Sequence, residues 1–241
     1  MNKAILKSLI PEGRLRVAIN VSNFLLVPHI MADGTPTGPS PDIARRIAKE
    51  LDVECELICF ERPGLIADTV DAGQWDLSNI ANEPARSEVM DFTNPYAFID
   101  AHFLIHKDSK LRQSRDVDQI ETTIAVPDRA AYDLWLTANL RYATIKRTSS
   151  MTEALELFRR GDVTVLAGLK PALIEEVANN PNYIILHPMF TAIRQAVGIK
   201  KGNLEALAFL NKVIGNMIST GFIEDSLKKH GVHGKLSIPT S

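Results

Sequence analysis

The residue best suited to binding chemistry is Arg86, which follows a short strand-like run and stands at the start of a predicted helix. A guanidinium offers parallel N–H donors that fit a carboxylate, and unpaired backbone N–H groups at a helix start add positive potential. The stretch Asp76–Arg86 therefore indicates either an anion-binding turn or a plain strand–turn–helix with a surface arginine. The chain contains none of the short catalytic or nucleotide-binding motifs Gly-x-Ser-x-Gly, His-Glu-x-x-His, Gly-x-x-x-x-Gly-Lys-Ser/Thr and Gly-x-Gly-x-x-Gly.

Composition excludes several classes of protein. The 241 residues suffice for one large or two modest domains, and 45% hydrophobic with 23% charged residues is typical of globular proteins. A net charge of −2 gives no reason to expect nucleic acid or an anionic membrane surface. The sequence has no run of about 20 apolar residues, so no transmembrane helix is predicted. The histidines lack zinc spacing, so we expect no metal and no cofactor, with His230 and His233 in solvent.

The N-terminus and the cysteines bear on the compartment. Pro11 and Gly13 interrupt the first residues, which lack the apolar core and cleavage site of a signal peptide. Location stays open at this point: cytoplasmic if Met1 is the native start, periplasmic if an export signal was removed. Cys55 and Cys59 would lie on one face of a strand roughly 13 Å apart, too far for a disulfide, and are predicted to be small core residues.

The order of predicted elements indicates an α/β fold. A strand at Leu15–Asn20 precedes a helix whose N-cap is predicted at Ser40, and the pattern then alternates through a strand ending at Ile80. A polar stretch, Lys107–Asp118, separates this run from a second α/β run between Thr122 and Leu186. Strands that alternate with helices favour mostly parallel sheets flanked by helices, here in two lobes.

Several segments, in this order, resemble the family 3 solute-binding proteins, the amino-acid receptors of ABC importers. Glu-Pro-Ala-Arg at 83–86 and Asp-Phe-Thr-Asn-Pro-Tyr at 91–96 stand where that family has a Thr-Pro-Glu-Arg-like turn and an Asp-Phe-Ser-x-Pro-Tyr run. Leu15–Asn20 matches its opening Leu-Arg-Val-Gly-Thr-Asp, and the residues after Asn211 match its closing helices. The resemblance extends from Leu15 to about Val232.

The resemblance implies a two-lobed periplasmic-binding-protein-like fold of type II with a two-stranded hinge. Transferred to this chain, lobe 1 is 1–97 with 195–241, and lobe 2 is 98–194. A ligand would be captured in the cleft between the lobes by hinge closure.

The family pattern also implies ligand-binding positions in lobe 1. Arg86 matches the arginine that holds the ligand carboxylate. The position five residues earlier, usually a hydroxyl residue, is Ala81, and the position seven earlier is Asn79, which can donate a hydrogen bond. The helpers of Arg86 are therefore predicted to be Asn79 and the backbones of Ala81 and, in lobe 2, Ala131.

The lobe 2 positions depart further from the family. Its Gly-Thr-Thr loop reads Asp128-Arg129-Ala130-Ala131, which loses both hydroxyls and adds an arginine that faces either the cleft or solvent. The aspartate that pairs with the ligand ammonium aligns with Leu169. Burying a ligand ammonium without a carboxylate partner costs several kcal/mol, about the penalty of an unpaired buried charge. The sequence therefore favours a ligand that has a carboxylate but no amine.

The remaining pocket candidates follow the first strand and the lobe 2 loop. They are Asn20, Asn23, Phe24 and Tyr132; the alternative for Asn20 is an asparagine that closes a turn, and the alternative for Tyr132 is a residue that only caps structure. Trp75 and Trp135 are predicted core residues.

The sequence thus predicts a monomeric solute-binding protein for a small anionic or amino-acid-like ligand bearing a carboxylate, with an ABC permease as partner and no catalytic residue. Two alternatives stay open: a cytoplasmic ligand sensor, and a dehydratase acting on prephenate or arogenate through Asp128 or Glu83.

Overall fold

The computed structural model describes residues 9, 10 and 12–239. The chain forms two compact units. Unit 1 takes the described residues up to Phe98 and from Arg194 onward, and unit 2 is Ile99–Ile193. The chain passes from one unit to the other within the strands Ala97–His106 and Thr191–Lys200.

The described strands and helices alternate along most of the chain. The strands are β1 (Leu15–Asn20), β2 (His29–Ile30), β3 (Pro36–Thr37), β4 (Cys55–Phe60), β5 (Leu77–Ala81), β6 (Met90–Phe92), β7 (Ala97–His106), β8 (Thr123–Pro127), β9 (Thr144–Thr148), β10 (Val165–Leu169), β11 (Tyr183–Ile185) and β12 (Thr191–Lys200). The helices are α1 (Pro39–Leu51), α2 (Pro63–Asp68), α3 (Pro84–Ser87), α4 (Ala131–Asn139), α5 (Met151–Arg159), α6 (Lys170–Asn179), α7 (Leu204–Ser219) and α8 (Phe222–Lys229), with a 3₁₀ turn at Ser114–Val117.

Unit 1 is built on the parallel strands β4-β1-β5, extended by β12 antiparallel to β5 and by β6 antiparallel to β12. Ile43, Ile47 and Leu51 recur at helical spacing and bury one face of α1. A second apolar cluster, around Trp75 and Ile80, lies beside α2. Every residue of β5 is buried, so the strand that leads to Arg86 is held firmly in the core.

Unit 2 repeats this plan. Strands β10, β8 and β9 are parallel, β7 runs antiparallel to β10, and β11 runs antiparallel to β7. Leu157 and Phe158 of α5 and Leu173 of α6 pack in its core. The predicted α/β fold with helices flanking sheets is confirmed, and the antiparallel strands make both sheets mixed.

The predicted N-cap of the first long helix was wrong. The helix begins at Pro39, its N-cap is Gly38 with a φ of 147°, and Ser40 lies inside the first turn with its amide bonded to the carbonyl of Leu26. A Cβ on Gly38 would collide with the carbonyl of Leu26 and with the ring of Pro28. The close approach of two backbones therefore decides where this helix starts.

Two predictions about individual side chains also fail. Cys59 is exposed and Cys55 half-buried, because β4 is the edge strand of its sheet and is covered less completely than the centre. His230 is not in solvent: its Nε2 lies 2.9 Å from Asp42 Oδ2 and ties α8 to α1. His233 is exposed as predicted, Trp75 is buried, and Trp135 is half-buried against Phe190.

Across residues 9, 10 and 12–239, no single helix is long and apolar enough to span a membrane; α7 and α8 meet the same length and composition test only as a pair bent by 66°.

Candidate ligand-binding site

Arg86 is positioned by the turn that joins β5 to α3. The chain leaves β5 at Ala81, and Pro84, which lacks an amide hydrogen, occupies the first turn of α3. The amides of Arg86 and Ser87 both donate to the carbonyl of Glu83, at 2.9 and 3.0 Å, and close that turn. The turn reverses the chain, so the Arg86 side chain returns to the end of β5.

Arg86 as a whole residue is only 3% exposed, and its Nη1 donates to the carbonyl of Ala81 at 2.8 Å. A buried cation is tolerated only where its N–H groups have partners. The predicted helper Ala81 therefore contacts Arg86 through its carbonyl oxygen, which orients the guanidinium at the carboxyl end of β5. This contact makes Ala81 a support for the arginine.

Glu83, next to Arg86 in the same turn, is 7% exposed. Burial raises the pKa of its carboxyl group to about 7, and the positive charges of Arg86 and Arg194 only partly oppose that increase. The sequence offers Glu83 as the acid of a dehydratase or as a residue at the start of a helix. The depth of Glu83 in the fold could not be inferred from sequence patterns, because a glutamate before a helix is normally in solvent.

Asn79 points from β5 toward the start of α1. Its Nδ2 donates to the carbonyl of Ser40 at 2.9 Å. In the part of the chain that the structure describes, the buried Asn79 Oδ1 and Ser40 Oγ have no hydrogen-bond partner. One of the two hydrogens on the Asn79 side-chain nitrogen is therefore bonded within unit 1, and the side-chain oxygen is able to accept a bond.

The residues after β1 form two successive side-chain-closed turns. Asn20 Oδ1 accepts from the amide and hydroxyl of Ser22 at 3.2 and 2.7 Å, and Asn23 Oδ1 accepts from the amides of Leu25 and Leu26 at 3.2 and 3.3 Å. Asparagine oxygens commonly close turns in this way. Phe24 lies within the second turn with 40% of its surface exposed. Both asparagine side chains therefore close turns, and their role toward a ligand stays a prediction.

The Asp128–Ala131 loop of unit 2 is fixed by a carboxylate that the sequence did not single out. Arg129 has a left-handed backbone with a φ of 56°, and its amide donates to Asp133 Oδ2 at 2.8 Å. Asp133 is 1% exposed and forms an ion pair with Arg147 Nε at 3.1 Å. The spacing of four residues between Arg129 and Asp133 was the available signal, because an acid in the first turn of a helix can accept from the amide ahead of it.

The side chains of this loop divide between surface and core. The Arg129 residue is exposed, whereas Ala131 begins α4 and is buried. Tyr132 is also buried, which raises the pKa of its hydroxyl group. The ring of Tyr132 is therefore part of the packing of unit 2.

Leu169 ends β10 as a half-buried residue directly before α6. The position aligned with the family aspartate therefore carries an apolar side chain. The following Lys170 has its Nζ 3.8 Å from Asp100 Oδ2. His102 on β7 is buried, its Nδ1 lies 2.9 Å from the carbonyl of Leu186, and burial lowers its pKa. The charged groups near Leu169 in unit 2 therefore include both the Lys170 ammonium and the Asp100 carboxylate.

Residues 9, 10 and 12–239 contain no group of three or more His, Cys, Asp or Glu residues that could hold a metal ion. A cavity of about 300 Å³ in unit 1 contains none of the predicted site residues; its lining is Asn94, Pro95, Asn211, Ile214, Gly215, Ile218 and Pro239.

Residues 15–233 match the model of the bacterial extracellular solute-binding proteins, family 3. The chain belongs to this family. The L-cystine-binding protein TcyJ of Escherichia coli K12 is 22% identical over 195 residues, which is 80% of this chain and 73% of that protein. The amino-acid-binding protein AabA of Dichelobacter nodosus is 26% identical over 104 residues, covering 42% of this chain and 41% of that one.

Solved structures share the fold at low sequence identity. The cysteine-binding protein from Campylobacter jejuni has a TM-score of 0.78 at 18% identity, with both chains fully covered. The solute receptor for L-cysteine of Neisseria gonorrhoeae has a TM-score of 0.77 at 22% sequence identity, and the match covers 98% of this chain and 96% of that one. The ancestral amino-acid-binding protein AncCDT-1, described as a precursor of cyclohexadienyl dehydratase, has a TM-score of 0.74 at 23% sequence identity. The match covers 93% of this chain and 98% of that one.

These comparisons confirm the predicted family, the periplasmic-binding-protein fold and the solute-binding function. The predicted site residues, and the boundaries of the lobes, stay predictions.

Proposed function

We propose that the protein captures an amino acid, or a close relative of one, by holding its carboxylate on Arg86, and that it passes this solute to an ABC permease. The observation that carries the proposal is a buried guanidinium oriented by the Ala81 carbonyl at the end of β5. Arginine suits this task because its donors have a fixed planar geometry that matches a carboxylate.

The kind of solute is supported by the relatives. Those named above are described as binding cystine, cysteine or amino acids in general, and two further structures of the same fold were solved with lysine and with L-arginine. All of these compounds carry a carboxylate next to an amine. The proposal therefore takes the carboxylate as the obligatory group of the solute.

The amine is the group for which this chain is least equipped. Leu169 occupies the aligned position of the family aspartate, and the neighbouring Asp100 carboxylate already lies 3.8 Å from the Lys170 ammonium. A ligand ammonium needs a carboxylate or several oxygen acceptors if it is to be buried. We therefore expect the ammonium to contribute little to affinity, or to be absent from the natural solute.

A matched set of compounds tests whether the carboxylate of the solute contributes more to binding than its amine. L-Cystine, dithiodipropionate (which lacks the amines) and cystamine (which lacks the carboxylates) are compared by thermal shift, together with the L-cysteine, mercaptopropionate and cysteamine set. Compounds that bind only the native state raise its melting temperature. We expect every compound that bears a carboxylate to stabilise the protein, with or without an amine, and cystamine and cysteamine to have no effect. Stabilisation only by compounds that keep the amine would contradict the proposal.

Catalysis is a second candidate, favoured by the buried Glu83 carboxyl group, whose pKa of about 7 suits a general acid, and by the likeness to AncCDT-1. Asp128, the other acid considered, lies in the unit 2 loop and is half-buried. We propose binding without turnover. Incubation with prephenate should give no phenylpyruvate above the uncatalysed rate, and multiple turnovers abolished by Glu83→Gln would establish the enzyme instead.

Capture by closure of two lobes, a monomeric state and the permease partner are predictions from the family resemblance. A sensor that signals through a partner protein would bind the same class of solute, so the compound set does not separate it from an importer component. Purification of a tagged chain from the native host decides between the two. A membrane permease that co-purifies with it indicates an importer component, and the absence of a permease indicates a sensor.

A further inference from the structure

Glu83 is a buried acid with no structural task in its own helix. It precedes α3 in an extended conformation (φ −126°, ψ 148°), and its side chain makes no capping hydrogen bond to that helix. An acid before a helix normally accepts from free amides of the first turn. Its burial is therefore not explained by capping.

The charges around Glu83 come from two elements of unit 1. Arg86 lies three residues ahead in α3, and Arg194 belongs to β12. The amide of Asn82 donates to the carbonyl of Arg194 at 2.9 Å, which holds β12 beside the turn that carries Glu83. These two arginines are the charged groups that act on Glu83 among the described residues.

We propose that Glu83 is a specificity-determining partner of Arg86 that takes up a proton when a carboxylate binds there. In its ionised form Glu83 competes with the incoming carboxylate for the positive charge of Arg86. In its protonated form it leaves that charge to the ligand. The inference rests on the proposed role of Arg86 as the carboxylate anchor.

Electrostatics fixes the direction of the effect. A ligand carboxylate adds a second negative charge near Glu83, which favours the protonated form, so the complex gains a proton from solvent on the Glu83 carboxylate. Because the pKa of free Glu83 is about 7, the exchange falls near neutral pH. Affinity for a simple carboxylate should fall above that pH, by at most about tenfold per pH unit for one linked proton. A ligand whose ammonium lies against Glu83 would show the opposite slope.

The first measurement uses the ligand-free protein with carbon-13-labelled glutamate carboxyl groups, titrated by NMR. Glu83 is assigned by its loss in Glu83→Gln. We expect an inflection near neutral pH, moved upward in Arg194→Gln because a positive charge is removed. An inflection in the ordinary range of glutamate would overturn the inference.

The second measurement repeats the titration in millimolar acetate, the smallest carboxylate probe, against sodium chloride of equal ionic strength. Acetate should raise the Glu83 inflection in the natural protein and in the control Glu88→Gln, which changes an exposed acid at the other end of α3. It should leave the inflection unmoved in Arg86→Gln. No movement in the natural protein, or equal movement in Arg86→Gln, would overturn the inference.

Failure here is distinguishable from failure of the proposed function. If Arg86→Gln still binds the carboxylates of the compound set normally, the anchor itself is wrong. If their binding depends on Arg86 but its pH dependence is the same in Glu83→Gln, only the proton-linked role of Glu83 is wrong.

Discussion

At the scale of single residues, the two halves of the predicted site are supported by different chemistry. In unit 1 a backbone carbonyl, that of Ala81, orients the buried Arg86. In unit 2 a buried carboxylate, that of Asp133, holds the loop that carries Arg129 by bonding its amide and pairing with Arg147. The sequence identified Arg86 and Arg129 but neither support, because a carbonyl has no sequence signature and Asp133 reads as an ordinary helix-start acid.

The Asp133 network gives the first prediction. Asp133→Asn removes a buried charge that serves both Arg129 and Arg147, so unit 2 should lose about 1–3 kcal/mol of stability, the scale of a charged hydrogen bond whose partner is partly exposed. Urea unfolding measures the loss. Asp108→Asn, which changes an exposed acid of the same unit, is the control; equal stability of the two variants would contradict the assigned role.

At the scale of elements, one carboxylate of α1 makes three polar contacts with α8 and the residue that follows it. Asp42 Oδ2 accepts from Ser226 Oγ and Lys229 Nζ, both at 3.0 Å, and lies 2.9 Å from His230 Nε2. Burial alone would raise the pKa of Asp42, but the bonds from His230, Lys229 and Ser226 outweigh it and lower the pKa.

A pH dependence of stability follows from that lowered pKa. A carboxyl group with a lower pKa in the folded state stabilises the fold above its unfolded pKa of about 3.9, and this stability is lost as the pH falls through the folded value. Asp42→Asn should therefore reduce stability at neutral pH and unfold with a weaker acid dependence than the natural protein. Urea midpoints across acidic pH measure this, with Asp52→Asn, an exposed acid just after α1, as control. An unchanged acid dependence in Asp42→Asn would disprove the claim.

The start of α1 gives a prediction about backbone packing. Gly38→Ala should destabilise unit 1, because φ is 147° and the added Cβ meets the Leu26 carbonyl and Pro28; strained backbones cost about 1–3 kcal/mol. Gly215→Ala is the matched control, since a Cβ there has open space within α7 and alanine favours a helix by about 0.5–1 kcal/mol. Thermal unfolding of both variants measures the difference; equal melting temperatures would contradict the collision.

Long periodic elements were predictable, and short ones were not. The helices α1, α5 and α7 were predictable because their apolar residues recur at helical spacing and bury one face. Strand β1 was predictable as a run of strand-forming residues, and β4 was predictable from alternating residues. The hairpin β2–β3 and strand β6 contain two or three residues each, too few for any period. The ten-residue β12 was predicted only at Ala196–Ile199, because the polar residues of its first half, Thr191, Arg194 and Gln195, follow no strand period.

At the scale of the whole molecule, the family was predictable from ordered motifs that no single residue could establish. Glu83–Arg86 and Asp91–Tyr96, with the opening strand and closing helices, identified a solute-binding protein, and the family match over residues 15–233 confirms it. The ligand was less predictable. The departures at Ala81, Ala131 and Leu169 remove the groups by which the family pattern would have named it.

The most direct test is the affinity of a carboxylate solute for the protein with and without the Arg86 guanidinium. The solute is the carboxylate from the compound set that stabilises the protein most, measured by calorimetry on the natural protein, on Arg86→Ala and on Arg46→Gln, which changes an exposed arginine of α1. Urea unfolding first establishes that all three are folded. We predict that Arg86→Ala loses about 1.5–3 kcal/mol of binding free energy or more, roughly tenfold to over a hundredfold in affinity, and that Arg46→Gln loses none. Equal affinity of folded Arg86→Ala and the natural protein would contradict the account.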